Sequence, residues 1–341
     1  MVQLREIGKT GVKVPAIGLG CMETSAIYGT SDSNESLKVL NRAIEIGCTF
    51  WDTSASINTC IYTDIYGIDG HNERLLSQFL KEHRDKIFIC TKFGYIRKPD
   101  QSYEVSGKRE YVRQACERSL KRLGVDYIDL YYQHRVDPNT PIEETVEAMA
   151  ELVKEGKVKY LGISECSAET LRRAYKVHPI SAIQVEYGPW FINIENNGIM
   201  EACRELGVTI VAFGTLGRGF LSGTIKSFDD LEPNDLRRKI PRFQGENFKK
   251  NLELVYKLQE LSTKKGLTPS QLCLAWTLAQ RDNIIIIPGT KRIKYLEENF
   301  NTQNIRLTNE DLDEIRQVIN SIEMVGTIHP EWAMKVRNVF Y

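Results

Sequence analysis

Three residues able to carry or hold a proton, Asp52, Lys92 and His134, each stand where a short apolar run of the chain ends. If those runs lie side by side, the Asp52 carboxylate and the Lys92 ammonium can pair, with an imidazole beside them whose ordinary pKa is near neutrality. Ser164, Gln184 and Phe213 close three further runs and offer two hydrogen-bonding groups and an aromatic face; Pro288-Gly289-Thr290 closes another. A second chemistry lies in IPGTKRIKYLEEN, residues 287–299, where a strand end runs into a helix. First-turn N–H groups and the helix dipole favour a phosphate there, with Lys291, Arg292 and Lys294 close by. Every one of these residues also has a plain structural use. Asp52 can cap a turn, Lys92 can snorkel to water, His134 can be a satisfied core histidine, and TKRIK can be a solvated face. Their common position at the ends of different runs favours the functional reading, because it brings them to one place.

Those runs must be strands for the residues to meet. The candidates are Ile17–Leu19, Phe50–Asp52, Ile87–Thr91, Ile128–Gln133, Tyr160–Ser164, Ile183–Glu186, Thr209–Phe213 and Ile284–Ile287. They are short, rich in β-branched and aromatic residues, and bounded by Gly, Pro or polar residues, as buried parallel strands are. Helical stripes separate them: Leu37, Leu40, Ala43 and Ile44 before Gly47, and Val112, Ala115, Leu120 and Leu123 before Gly124, with each glycine placed as a stop. Eight strands each followed by a helix indicate an α/β chain folded as a (β/α)8 TIM barrel, with an open doubly wound sheet as the alternative. A barrel gathers its strand ends at one catalytic face, and the loop from Gly214 to Glu246 belongs there. A Gly-containing hairpin precedes the barrel and a helix over 309–322 follows it, leaving a tail, 323–341, that carries Trp332 and Phe340. No linker divides residues 1–341, which read as a single domain.

Composition narrows the classes. Lys plus Arg and Asp plus Glu both number 45, so a formal net charge of zero gives no basic surface for nucleic acid or anionic membrane. The longest purely aliphatic run, Ile284–Ile287, is far too short to span a bilayer, and MVQLREIGKTG has no apolar core of a secretory leader. The eight cysteines lie singly with no CxxC pair, which suits free thiols in a reducing, cytoplasmic setting. His and Cys residues form no cluster with metal-ligand spacing, so no metal is expected. Neither GxGxxG opening a βαβ unit nor GxxxxGK[ST] occurs.

IGLGCM (17–22), WDT (51–53), YG…HNERLL (66–76), TKFG (91–94), RLGVDYIDLYYQHR (122–135), GISE (162–165), QVEY (184–187), GRGFLSG (217–223) and IPGTKRIKYLEEN (287–299) resemble the aldo-keto reductases. The similarity is greatest to the microbial and plant branch acting on pyridoxal-type and aromatic aldehydes, and it runs from the first hairpin to the final helix. The resemblance implies a catalytic tetrad of Asp52, Tyr66, Lys92 and His134. It also implies NADPH, held by Gly20, Cys21, Met22, Asp52, Ser164, Glu165, Gln184, Phe213, Gly214, Leu216, Gly289, Thr290, Lys291, Lys294, Glu298 and Asn299. Within that set Ser164 and Gln184 would hold the carboxamide, Phe213 would lie against the nicotinamide ring, and Lys291 and Lys294 would hold the 2′-phosphate. Met22, Tyr66, His134 and Trp190 would line the pocket of a small carbonyl substrate. Two departures bear on the cofactor: Glu165 stands where many relatives have Asn, and Phe213-Gly214-Thr215 where many have Tyr-Ser-Pro.

The family's tyrosine normally follows its aspartate by five positions, but that position here is Ile57. Removing residues 55–63, ASINTCIYT, restores the spacing and makes Tyr66 the match, with Tyr62 inside the added segment. Lengthening such a link from about five to fourteen residues costs only roughly 0.9 kcal/mol of closure entropy. Catalysis is more exposed, because a displacement near 1 Å can cost about a hundredfold in rate. The expected function is therefore NADPH-dependent reduction of aldehydes or ketones with tyrosine as general acid. The alternative is a weak or inactive barrel that serves as a cofactor-binding sensor or partner subunit.

Overall fold

The computed structural model describes residues 2–25, 33–55, 70–97 and 103–329. Residues 56–63 of the added segment, Tyr62, Tyr66, Cys60 and the tail from residue 330, with Trp332, lie outside the described residues. The strands are β1 (Leu4–Glu6), β2 (Lys13–Pro15), β3 (Leu19–Gly20), β4 (Phe50–Asp52), β5 (Phe88–Phe93), β6 (Tyr95–Arg97), β7 (Tyr103–Val105), β8 (Ile128–Gln133), β9 (Val158–Ser164), β10 (Ile180–Glu186), β11 (Thr209–Phe213) and β12 (Ile284–Ile286). The helices are α1 (Ser33–Ile46), α2 (His71–His83), α3 (Arg109–Leu123), α4 (Ile142–Lys154), α5 (Ala168–Val177), α6 (Ile199–Leu206), α7 (Gly245–Lys264), α8 (Pro269–Ala279), α9 (Ile293–Asn301) and α10 (Asn309–Asn320).

Eight strands pair in parallel in the order β3-β4-β5-β8-β9-β10-β11-β12. The two ends of that sheet then meet, because Ile17 and Ile286 form a parallel bridge, with Gly18 N–H donating to Ile286 O at 2.8 Å and Ile286 N–H to Ala16 O at 3.0 Å. The sheet is thus closed into a barrel and not left open, as the alternating β and α segments predict. Alternation along each strand sorts the side chains. Phe50, Cys90, Leu130, Tyr132, Ala182, Val211 and Ile285 fill the interior together, and Ile7 and Val14 of the β1–β2 hairpin join them from below. Two residues further along the same inward-facing rows stand Asp52, Lys92, His134, Gln184 and Phe213. Outward-facing residues such as Trp51, Ile89, Tyr131 and Ile163 belong to a second core shared with the helices.

Packing in the interior is tight enough to dictate residue types. A Cβ on Gly162 would lie 2.3 Å from Tyr132 Cδ1, and one on Gly18 would lie 2.6 Å from Phe50 Cδ1, so glycines make the room these rings occupy. Helix α4 shows the outer logic: Ile142, Val146, Met149 and Leu152 recur at helical spacing and are all buried. Burying each such side chain contributes about 1.5–3 kcal/mol. Gly124 ends α3 in the left-handed region, at φ 67°, with its N–H on Leu120 O, so the glycine stop expected there is present.

Several details differ from the sequence expectation. β3 covers Leu19–Gly20, β5 runs on to Phe93 and so includes Lys92, and β12 stops at Ile286. Strands β9 and β10 begin earlier, at Val158 and Ile180, because parallel pairing continues below the apolar runs. The last helix ends at Asn320 and not at residue 322. An antiparallel hairpin, β6–β7, follows the strand that carries Lys92; its polar, Pro-containing connection hides the alternation. The long loop after β11 folds into successive 3-10 turns, including Phe220–Ser222 and Pro241–Phe243, before α7 begins.

Candidate active site at the barrel mouth

Asp52 and Lys92 meet at the C-terminal ends of β4 and β5 and form an ion pair. Both are almost wholly buried, at 5% and 3% exposure. Lys92 Nζ also donates to Thr53 O at 2.8 Å, and Gln184 Nε2 donates to the second carboxylate oxygen of Asp52 at 2.7 Å. Burial pushes the Asp52 carboxyl up from its ordinary value, while the Lys92 ammonium and the two hydrogen bonds pull it back. The result is a cation fixed at one point of the mouth, with its counter-charge held behind it.

His134 follows β8 directly, and its backbone N–H donates to Phe93 O at 2.7 Å. Its Nδ1 lies 3.3 Å from Ser54 Oγ, and its ring meets Tyr95 of the β6–β7 hairpin edge-on at 5.1 Å. Ser54 and Tyr95 therefore orient the imidazole, and neither was singled out by the sequence reading. Ser164 Oγ accepts a hydrogen bond from Arg135 Nη1 at 3.3 Å. Gln184 is drawn to Asp52 by its amide nitrogen. Glu165 takes a left-handed backbone, φ 52°, and its Oε1 accepts from Glu186 N–H at 2.8 Å. Phe213 is partly exposed at the rim, and Gly214 follows it at φ 66°. A Cβ on Gly214 would press on Glu186 Cγ at 3.0 Å. Trp190 is only 5% exposed; it packs edge-on against Phe220 at 4.5 Å and stacks with Phe243 at 5.7 Å.

On the opposite rim the seam of the barrel makes a narrow cradle. Gly20 and Gly289 face each other across it: a Cβ on Gly20 would sit 2.7 Å from Ile287 O, and one on Gly289 would sit 2.9 Å from Gly20 O. Cys21 beside them is buried with its thiol on Leu19 O, and burial pushes its pKa well up, so it stays a neutral thiol. Met22 is half-buried. Thr290 Oγ1 accepts from Arg292 N–H at 3.1 Å and shapes the turn into α9. Arg292 and Lys294 are exposed at the start of that helix, whereas Lys291 is half-buried and faces Glu23, Glu232, Asp235 and Arg237. Burial lowers the pKa of Lys291 and raises that of Glu23. Glu298 Oε1 accepts from Thr268 Oγ1 at 2.8 Å, and Asn299 is buried. Leu216 is half-buried in the turn after Gly214.

The start of α2 is tied down by polar residues that the apolar anchors Leu75, Leu76 and Phe79 do not account for. Asn72 Nδ2 donates to Cys21 O at 2.8 Å and to Thr24 Oγ1 at 2.9 Å, and Thr53 Oγ1 donates to Asn72 Oδ1. Glu73 is fully buried, accepts from Thr91 Oγ1 at 2.6 Å and pairs with Arg122 Nε at 2.6 Å. One end of this network is Thr53 and Thr91, each next to a member of the buried pair. In the sequence Asn72 and Glu73 stand in HNERLL, one of the motifs that carry the family resemblance, as part of a run of polar residues where a helix starts.

Among the described residues no helix is long and apolar enough to cross a membrane, and the seven described cysteines are buried and unpaired. A model of the Aldo/keto reductase family matches residues 16–320. The chain is 47% identical to the aldo-keto reductase yakc of Schizosaccharomyces pombe, whose name carries NADP(+), across 97% of this chain and 96% of that protein. It is 49% identical to an aldo-keto reductase of Strobilurus tenacellus, across 94% and 93%. Among solved structures, a thermostable aldo-keto reductase in complex with the inhibitor epalrestat is 30% identical, with a TM-score of 0.71 over 93% of this chain and 99% of that one. A glycerol dehydrogenase from Gluconobacter oxydans superposes with a TM-score of 0.82 over 94% and 96%; at 24% identity that likeness concerns the fold alone.

Proposed function

This chain belongs to the aldo-keto reductase family, and on that premise we propose that it reduces aldehydes or ketones to alcohols with NADPH, using Asp52, Tyr66, Lys92 and His134. The observation that carries the reading is the buried Asp52–Lys92 pair beside His134 at the barrel mouth. A buried ion pair is a poor device for stability alone, because desolvation offsets most of its attraction. At a catalytic face it supplies a fixed positive charge.

The residues around the mouth fit the cofactor. The Gly20–Gly289 cradle leaves backbone where a side chain would block approach, Phe213 offers a ring at the rim, and Arg292 and Lys294 stand at the start of α9 where a 2′-phosphate is favoured. The relative from Schizosaccharomyces pombe bears NADP(+) in its name, which supports the choice of cofactor. When bound, NADPH supplies a hydride to the carbonyl carbon of the substrate. The carbonyl oxygen gains negative charge as this happens and must receive a proton. A free phenol, with a pKa of about 10, is a weak acid at neutral pH. An ammonium near a phenol favours tyrosinate and makes the phenol a better donor, and Lys92 is the cation we assign to act on Tyr66. Asp52 holds that ammonium in place, and His134, oriented by Ser54 and Tyr95, directs the carbonyl oxygen. Tyr66 is chosen by spacing, and the Asn72 and Glu73 network holds the start of α2.

The test is a steady-state screen of NADPH oxidation over pyridoxal, aryl aldehydes, methylglyoxal and short ketones. Turnover of at least one class is expected. A chain that binds NADPH and is inert on all of them would instead be a cofactor sensor.

A further inference from the structure

Arg135 is a buried guanidinium whose charge nothing in the described structure answers. It is 4% exposed. Its Nη1 donates to His134 O at 2.6 Å and to Ser164 Oγ at 3.3 Å, and its Nε is buried without a hydrogen-bond partner. No carboxylate of a described residue pairs with it. Asp137, two residues on, is spent locally: its oxygens accept from Gly107 N–H, Asn139 N–H and Thr140 Oγ1, each at 2.8 Å. Burying a charge with no partner is costly, so such a group is retained where its field is used. Lys92, by contrast, has the Asp52 carboxylate directly against it as a counter-charge.

We propose that Arg135 is a positioning residue that acts through Ser164 to favour the reduced cofactor over the oxidised one. The proposal rests on the reading above that Ser164 holds the nicotinamide carboxamide. Because Ser164 Oγ accepts from Arg135, its own O–H is left to donate, which suits the carboxamide oxygen. The guanidinium, one hydrogen bond from Ser164, would then act on a ring that is cationic in NADP+ and neutral in NADPH. Like charges in a low-dielectric site repel, so the oxidised form is held more weakly. The device loads NADPH and releases NADP+ after each turnover.

Tryptophan-fluorescence titration of the full chain with NADPH, NADP+ and 2′-phospho-ADP-ribose tests this. The wild type should bind NADPH more tightly than NADP+ by about tenfold or more. Arg135→Gln, which keeps an N–H donor but no charge, should bring the ratio toward one, mainly by tightening NADP+. Arg135→Lys should retain most of the preference. Neither change should move 2′-phospho-ADP-ribose, which lacks the nicotinamide. Equal wild-type affinities for NADPH and NADP+ would overturn the proposal even if Arg135→Gln fails to fold. So would a glutamine variant with the wild-type ratio, or a lysine variant that loses the preference as fully as glutamine. A wild type that binds 2′-phospho-ADP-ribose but gains nothing from the nicotinamide would refute the Ser164 reading; a shifted ratio separates the two.

Discussion

Lys92→Met removes one partner of a pair that is almost wholly buried and leaves the Asp52 carboxylate with Gln184 as its remaining side-chain donor. Breaking a buried pair in this way costs about 3–5 kcal/mol. For a chain of this size that is a fall in Tm of roughly 4–7 °C. The loss should depend on pH, and its sign follows from the carboxyl. Burial already holds the Asp52 carboxyl above its ordinary value in the folded state, and the variant lacks the ammonium that opposed this most strongly. A carboxyl whose folded pKa exceeds its unfolded one binds more protons folded, so stability falls as pH rises through that window. The gap between Lys92→Met and wild type should therefore be small near pH 4 and widen toward pH 8. Adding Asp52→Asn should recover much of it, since no buried charge is then left alone. Urea unfolding of the wild type, both single variants and the double variant at pH 5 and pH 8 measures all of this. A double variant as unstable as Lys92→Met, or a gap independent of pH, would refute the account of the pair. Turnover of Lys92→Met should fall by about a hundredfold or more with NADPH binding retained.

Two further outcomes are expected. Gly162→Ala should destabilise by about 1–3 kcal/mol or prevent folding, because its Cβ would sit 2.3 Å from the buried Tyr132 ring; unchanged chemical denaturation would show that the ring can move aside. NADPH should bind about tenfold or more tightly than NADH, and Arg292→Ala with Lys294→Ala should erase most of that difference; fluorescence titration with both cofactors decides it.

Much of this was legible in the chain. The eight strands and the catalytic-face position of Asp52, Lys92 and His134 follow from period and from strand ends, because a residue that ends an inward-facing row must sit at the mouth. Strands β8 and β11 even have the expected limits. The hairpin β6–β7, and with it Tyr95 against His134, was not legible, since strands of three residues, YIR and YEV, are too short for alternation to stand out. Asn72, Glu73 and Arg135 were missed for a different reason. Each is a polar residue buried by long-range partners, such as Cys21 for Asn72 and Arg122 for Glu73, and spacing along the chain does not encode those meetings. Lys291 shows the limit of reading a basic cluster as one unit. Its neighbours Arg292 and Lys294 are exposed, while Lys291 itself turns toward Glu23 and the long loop.

The central claim is that a carbonyl is reduced at this mouth with Tyr66 as its proton donor, and the most direct measurement compares two conservative variants. Tyr66→Phe and Tyr62→Phe each remove one hydroxyl, four residues apart, one beyond the added segment and one within it. Rates of NADPH oxidation on the best aldehyde of the screen should collapse in Tyr66→Phe and stay near wild type in Tyr62→Phe, with NADPH affinity unchanged in both. Retained activity in Tyr66→Phe together with loss in Tyr62→Phe would contradict the account, and would place the proton donor inside the added segment.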